Sequence, residues 1–158
     1  MTTVAATVRL QTADFDAAEE ARRLAEGRTD VGAVVTFTGI CRGDGGLAAM
    51  TLEHYPGMAE AEIARHVAEA EARFALAGVI VIHRYGRLAP GDNIVLVVTA
   101  ASHRADAFAA AEFLMDYLKT RAPFWKREER ADGAAWVDAA AHDDAAAGRW
   151  TGPRAAEG

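Results

Sequence analysis

Asn93 to Ala101 (Asn-Ile-Val-Leu-Val-Val-Thr-Ala-Ala) is the most hydrophobic strand-type run in the chain, and it starts directly after a Pro90-Gly91-Asp92 turn. Ahead of that turn stand Val79-Ile-Val-Ile-His83, a second β-branched run, and Arg84 to Leu88, which continues it in a more irregular form. Parallel neighbours need a crossover of a dozen or more residues, which so short a link cannot supply. Tight links of this kind predict substantial antiparallel pairing and argue against a doubly wound nucleotide fold.

The rest of the chain fits an α+β order. Val4 to Leu10 reads as a first strand, and Asp14 as the cap of a helix over Phe15 to Glu26. After a turn over Gly27 to Gly32, Ala33 to Gly39 is a strand rich in β-branched and aromatic residues. Gly43-Asp-Gly-Gly46 then predicts a loop or hairpin connection, with Ala49 to Tyr55 as the return strand. Met58 to Leu76 carries an apolar stripe (Ile63, Val67, Ala70, Phe74) and predicts a long amphipathic helix ended by Gly78. A further helix runs from Ser102, its expected N-cap, to about Arg121, with Phe108, Ala111, Met115 and Leu118 on one apolar face. Glu128 to Val137 has two-strand character around the turn dipeptide Asp132-Gly133. His142 to Trp150 predicts a terminal helix and 151–158 a loose tail, giving a single domain over 1–150.

Composition narrows the function classes. A chain of 158 residues with 51% hydrophobic and 25% charged residues is globular. Its formal net charge of -6 argues against broad nucleic-acid binding, which needs a basic face. One cysteine, Cys41, excludes an internal disulfide and fits a reducing cytoplasm. No apolar run approaches the ~20 residues of a membrane span, and no export signal is visible. The five histidines show no close metal-ligand spacing, so neither a metal nor a cofactor is expected. Gly43, Gly45 and Gly46 lack a phosphate-loop lysine and are turn glycines.

Against that acidic background, Met115-Asp-Tyr-Leu-Lys-Thr-Arg-Ala-Pro-Phe-Trp-Lys-Arg-Glu128 concentrates Lys119, Arg121, Lys126 and Arg127 around a proline break. Pro123 reverses the chain, so Lys126 can return towards Lys119. Two ammonium groups in one pocket depress each other's pKa and make a neutral amine accessible. The same cations also suit a purely structural purpose, stabilising a helix C-terminal dipole or solvating a surface turn. Ser102-His103-Arg104 opens a helix after a buried strand, where unpaired N–H groups attract phosphate or carboxylate; Arg104 pairing with Asp106 is the structural alternative. Cys41 beside Arg42 is either a low-pKa thiolate or a small apolar strand residue.

Five blocks together resemble the large, catalytic subunit family of molybdopterin synthase: Val34 to Gly39, Leu52 to Met58, Val81 to Arg84, Ser102 to Arg104 and Met115 to Glu128. The resemblance spans roughly Val31 to Trp150, and the last block is the most specific. It implies an α/β hammerhead-type domain with a largely antiparallel sheet and a small extra β subdomain. It also implies a sulfurtransferase of molybdenum cofactor biosynthesis. Such enzymes make the molybdopterin dithiolene from cyclic pyranopterin monophosphate (precursor Z). The sulfur comes from the C-terminal Gly-Gly thiocarboxylate of a small ubiquitin-like subunit, and a large-subunit homodimer carries one small subunit at each end as a heterotetramer. Carried onto this sequence, Lys119 and Lys126 are the catalytic lysines. Arg42, His103 and Arg104 bind the pterin phosphate, Arg127 and Glu128 line the pocket, and Phe37 and Met115 flank the incoming tail.

Two features depart from the family pattern. The Arg42 to Met50 loop is short, which withdraws support for loop-borne substrate contacts, and Cys41 stands where an aliphatic residue is expected. Two competing functions use the same residues. One is a non-catalytic docking module for a ubiquitin-like tail; the other is a nucleic-acid binder stacking bases on Phe124 and Trp125.

Overall fold

The computed structural model describes residues 5–137 together with Gly148 and Trp150. In chain order its elements are β1 (Ala5–Gln11), α1 (Ala17–Ala25), β2 (Ala33–Ile40), β3 (Ala49–His54), α2 (Met58–Arg73), β4 (Leu76–Arg84), β5 (Gly86–Leu88), β6 (Asn93–Ala101), α3 (Arg104–Thr120), β7 (Phe124–Arg130) and β8 (Gly133–Val137). A single 3-10 turn, Asp44–Gly46, interrupts the β2–β3 link. The expected terminal helix and tail lie outside the described residues, apart from Gly148 and Trp150. Among the described residues no helix is long and apolar enough to cross a membrane.

The strands form two four-stranded sheets, ordered β1-β4-β6-β2 and β5-β3-β7-β8. All pairings are antiparallel except β1 with β4. The fold is therefore α+β, and the second sheet corresponds to the small extra β unit expected from the resemblance.

β4 and β6 read as almost unbroken apolar runs because both of their faces are covered. Val79, Val81, Val95 and Val97 point into a core shared with α2 and α3, through Ile63, Val67, Leu114 and Leu118. Alternate residues Ile80, Ile82, Leu96 and Val98 pack with Leu24 of α1, Phe15 and Val31 on the opposite face. The two-residue period of a strand divides the side chains between these cores.

Several local expectations differ from the structure. Asp16, not Asp14, caps α1, accepting the Glu19 N–H at 3.0 Å. Asp14 instead accepts from the Phe15 N–H and from Asn93 Nδ2, tying the β1–α1 link to the start of β6. Burdened with a different task, Ser102 does not cap α3 either: its hydroxyl donates to the Asp30 carbonyl at 2.9 Å, and His103 takes the cap position without a side-chain bond. Phe108, expected on the buried face of α3, is 62% exposed, while Ala107, Ala110 and Ala111 fill the close approach to the sheet.

Gly78 does not end α2. That helix stops at Arg73 with Phe74 already extended, so Gly78 falls inside β4. A Cβ there would lie 2.6 Å from Leu24 Cδ1, so the glycine marks where α1 presses onto the sheet. Gly78→Ala is expected to cost about 1–3 kcal/mol by overpacking, measured as a lower midpoint in urea unfolding.

β3 is not the return strand of a hairpin with β2. The end of β2 is held by Cys41 N–H to the Asp92 carbonyl at 2.8 Å and by Gly91 N–H to the Cys41 carbonyl at 2.7 Å. That anchorage, followed by positive φ at Gly45 and Gly46, carries the chain away from β2 and into the second sheet. There β3 lies between β5 and β7. Arg84 to Leu88 likewise splits: β4 ends at Arg84, and Gly86 at φ 90° turns the chain into β5 of the other sheet.

Candidate active site

The junction of the two sheets with the C-terminal end of α3 encloses a pocket of about 630 Å³. Its walls are apolar: Met50 and Leu52 of β3, Ile94 and Val95 of β6, Leu118 of α3 and Phe124 of β7. Lys119, Lys126 and Arg42 supply the cations, and Met115, Trp125 and Trp136 complete much of the rim.

The local sequence explains how the lysines meet. α3 ends at Thr120, and the Arg121 and Ala122 N–H groups both bond back to the Tyr117 carbonyl. Pro123 lacks an N–H and cannot extend the helix, so the chain reverses and enters β7 at Phe124. Strand character thus begins at Phe124, earlier than the Glu128 read from the sequence. Alternation along β7 then places Phe124, Lys126, Glu128 and Arg130 on one face.

Arg127 and Glu128 were expected to line the pocket, yet neither does. Arg127 points to the other face of β7. Glu128 acts as a brace beside the pocket, with one oxygen 3.8 Å from Lys126 Nζ and the other accepting from Arg130 at 2.8 Å. Arg130 in turn donates to the Asp44 and Gly45 carbonyls, so the short glycine loop is fastened to the lysine strand. Arg42, at the root of that loop, pairs with Asp44 across 3.5 Å while lining the pocket.

The remaining expected site residues are dispersed. Met115 is buried against the pocket, whereas Phe37 on the edge strand β2 is 38% exposed and does not line it. His103 and Arg104 stand at the opposite end of α3 from Lys119. Fifteen and sixteen positions along α3, at a rise of 1.5 Å per residue, separate Arg104 and His103 from Lys119 by about 22–24 Å. One chain therefore does not bring His103 and Arg104 to its own lysines.

Cys41 is buried, and burial, followed by the charge of Asp92, pushes its thiol pKa up. That environment disfavours a thiolate. For the sulfur-transfer activity the resemblance implies, Cys41→Ser is expected to stay within about twofold of wild type, read as initial rate.

His83 is a pocket residue that the sequence reading passed over. It is buried in β4, stacks on Phe124 with centroids 4.1 Å apart, and places Nδ1 2.8 Å from the Arg84 carbonyl. Burial, with smaller contributions from Lys119 and His54, lowers its pKa from 6.5 to about 4 despite that carbonyl. The folded state therefore binds fewer protons here than the unfolded state. The stability it contributes is fully present above pH 6.5 and is lost as pH falls towards 4, on the order of 3 kcal/mol. Urea midpoints measured across that window should fall more steeply for wild type than for His83→Gln.

A family model described as the MoaE protein matches residues 10–121. This chain belongs to the MoaE family. A relative from Mesorhizobium japonicum, named molybdopterin synthase catalytic subunit, is 60% identical over 150 residues, covering 93% of this chain and 94% of its own. The structure of a molybdopterin biosynthesis MoaE protein from Burkholderia ambifaria superposes with a TM-score of 0.81 at 51% identity, covering 94% of this chain and 99% of the other. The crystal structure of molybdopterin synthase from Staphylococcus aureus gives 0.71 at 29% identity, covering 81% and 94%. The MoaE-matched region includes Arg42 and Lys119 and stops before β7 and Lys126.

Proposed function

We propose that this chain is the catalytic subunit of a molybdopterin synthase. It transfers sulfur from the C-terminal thiocarboxylate of a small ubiquitin-like subunit to cyclic pyranopterin monophosphate, forming the molybdopterin dithiolene. The observation that carries this reading is Lys119 and Lys126 lining one apolar-walled pocket from opposite sides of the Pro123 turn. A flat heterocycle suits the walls, while its phosphate and an anionic chain end suit the cations.

Lys119 meets the thiocarboxylate, and Lys126 assists proton transfer or stabilises charge that develops as the carbon–sulfur bond forms. Met115 shapes the inner channel for the Gly-Gly tail, and Phe37 meets the tail farther out. Arg42 binds the phosphate from the same chain. Their separation from Lys119 along α3 supports a role for His103 and Arg104 at the phosphate of the neighbouring pocket, contributed across a homodimer. With one small subunit at each end the assembly is a heterotetramer, and this chain's one cysteine, Cys41, suits the cytoplasm.

The test is turnover with the thiocarboxylated small subunit and the cyclic precursor. Dithiolene product supports the reading. Tight binding of the tail without product would favour the docking module instead.

A further inference from the structure

We propose that His83 is a substrate-binding residue of the lysine pocket, its Nε2 accepting a hydrogen bond from an N–H on the edge of the bound pterin ring. The proposal rests on the pterin reading of this pocket and adds a recognition group to it.

The tautomer follows from the partner of the other ring nitrogen. A backbone carbonyl can only accept, so the 2.8 Å contact between Nδ1 and the Arg84 carbonyl places the hydrogen on Nδ1. A neutral imidazole then carries its lone pair on Nε2. Burial and the nearby Lys119 charge both oppose protonation, which keeps that lone pair available at neutral pH. None of the hydrogen bonds among the described residues uses Nε2, and His83 lines the pocket. The stack on Phe124 holds the ring plane.

The pocket needs such a group. Lys119, Lys126 and Arg42 only donate, as do the indoles of Trp125 and Trp136. Thr120 donates its hydroxyl hydrogen to the Asp116 carbonyl at 2.7 Å, which leaves its oxygen as a hydroxyl acceptor at the helix end, and no carboxylate is among the lining residues. A phosphorylated ring with only anionic and acceptor groups would be served by cations alone. A pterin also carries ring N–H and amino donors, and leaving one buried without an acceptor costs affinity. His83 Nε2 is the ring-nitrogen acceptor that the lining offers, placed among the apolar walls where such an edge would lie.

Two substitutions separate recognition from packing. Asparagine can reproduce the Nδ1 donor to the Arg84 carbonyl but does not reach the Nε2 position; glutamine can reach it with an amide oxygen. Both lose the stack on Phe124. Precursor binding is measured by calorimetry on the complete large-subunit dimer, with KM and kcat from turnover. His83→Asn is expected to raise Kd and KM about tenfold with kcat little changed, and His83→Gln to restore most of the affinity. Equal losses in the two variants would assign His83 to packing alone and overturn the proposal, as would wild-type affinity in His83→Asn.

The wild-type protein supplies a check that does not depend on variant folding. The unprotonated Nε2 resonance of His83, followed by nitrogen NMR, should shift when the cyclic precursor is added. No shift at saturation, or a shift produced only by a Gly-Gly tail peptide, would overturn the proposal. Wild-type protein that neither binds nor converts the precursor would instead defeat the pterin reading itself.

Discussion

Replacing Lys119 by alanine is expected to slow sulfur transfer by about 100- to 1,000-fold or more, the scale of losing a charge-stabilising or proton-transferring group. The unfolding midpoint should stay near wild type. Lys119 lies on the exposed side of the last turn of α3, while Leu114 and Leu118 hold that turn to the sheet. Substitutions away from a core or buried network generally alter stability by about 0.5 kcal/mol or less. Loss of rate with the fold retained would place Lys119 in the chemistry; near-normal turnover would remove it. Lys126 provides the internal comparison. It faces the same pocket from a strand and is braced by Glu128, so Lys126→Ala should lower kcat while tail binding persists.

Mixing two inactive variants should regenerate activity. If each pocket takes Lys119 from one chain and Arg104 from the other, Lys119→Ala and Arg104→Ala disable different halves of a composite site. A mixed dimer then has one doubly altered pocket and one intact pocket. Random reassociation of equal amounts should recover about a quarter of wild-type activity per chain, by two-fold symmetry. Recovery is read as initial rate after subunit exchange. No recovery, with mixed dimers demonstrated by mass spectrometry, would mean that Arg104 does not serve the neighbouring pocket.

Much of this site was legible because its signals are local. The helical spacing through Met115 and Leu118, the break at Pro123 and the cations on either side all lie within one short stretch, and together they set α3, the reversal and the return of Lys126. Antiparallel pairing around β6 was equally legible from the Pro90-Gly91-Asp92 turn. Where one residue type serves two physical purposes, local signals misled. Gly78 read as a helix stop, but its missing Cβ admits Leu24 in the middle of β4. Ser102 read as a helix cap, but the Asp30 carbonyl across the fold claims its hydroxyl.

Long-range placement accounts for the rest. The glycine loop permits a hairpin, and the bonds between Cys41 and the Gly91–Asp92 turn, together with the positive φ of Gly45 and Gly46, carry β3 into the second sheet. Arg127 and Glu128 looked equivalent beside Lys126, yet strand alternation turns one away and makes the other a brace. His83 stood inside the Val81 to Arg84 block, but nothing local marked it for the pocket; its Nδ1 hydrogen is held by a carbonyl on its own strand and its ring plane by an aromatic delivered by β7. His103 and Arg104 were grouped with the lysines by chemistry, although a straight helix holds them a full domain dimension apart.

The central claim is that this pocket performs sulfur transfer rather than tail docking alone. The decisive measurement is a single turnover followed by mass spectrometry, with the chain, cyclic pyranopterin monophosphate and thiocarboxylated small subunit mixed at defined ratios. Two small subunits should each exchange terminal sulfur for oxygen for every dithiolene formed, with the exchange abolished by Lys119→Ala. A stable complex whose small subunits keep their sulfur, and whose pterin stays unchanged, would contradict it.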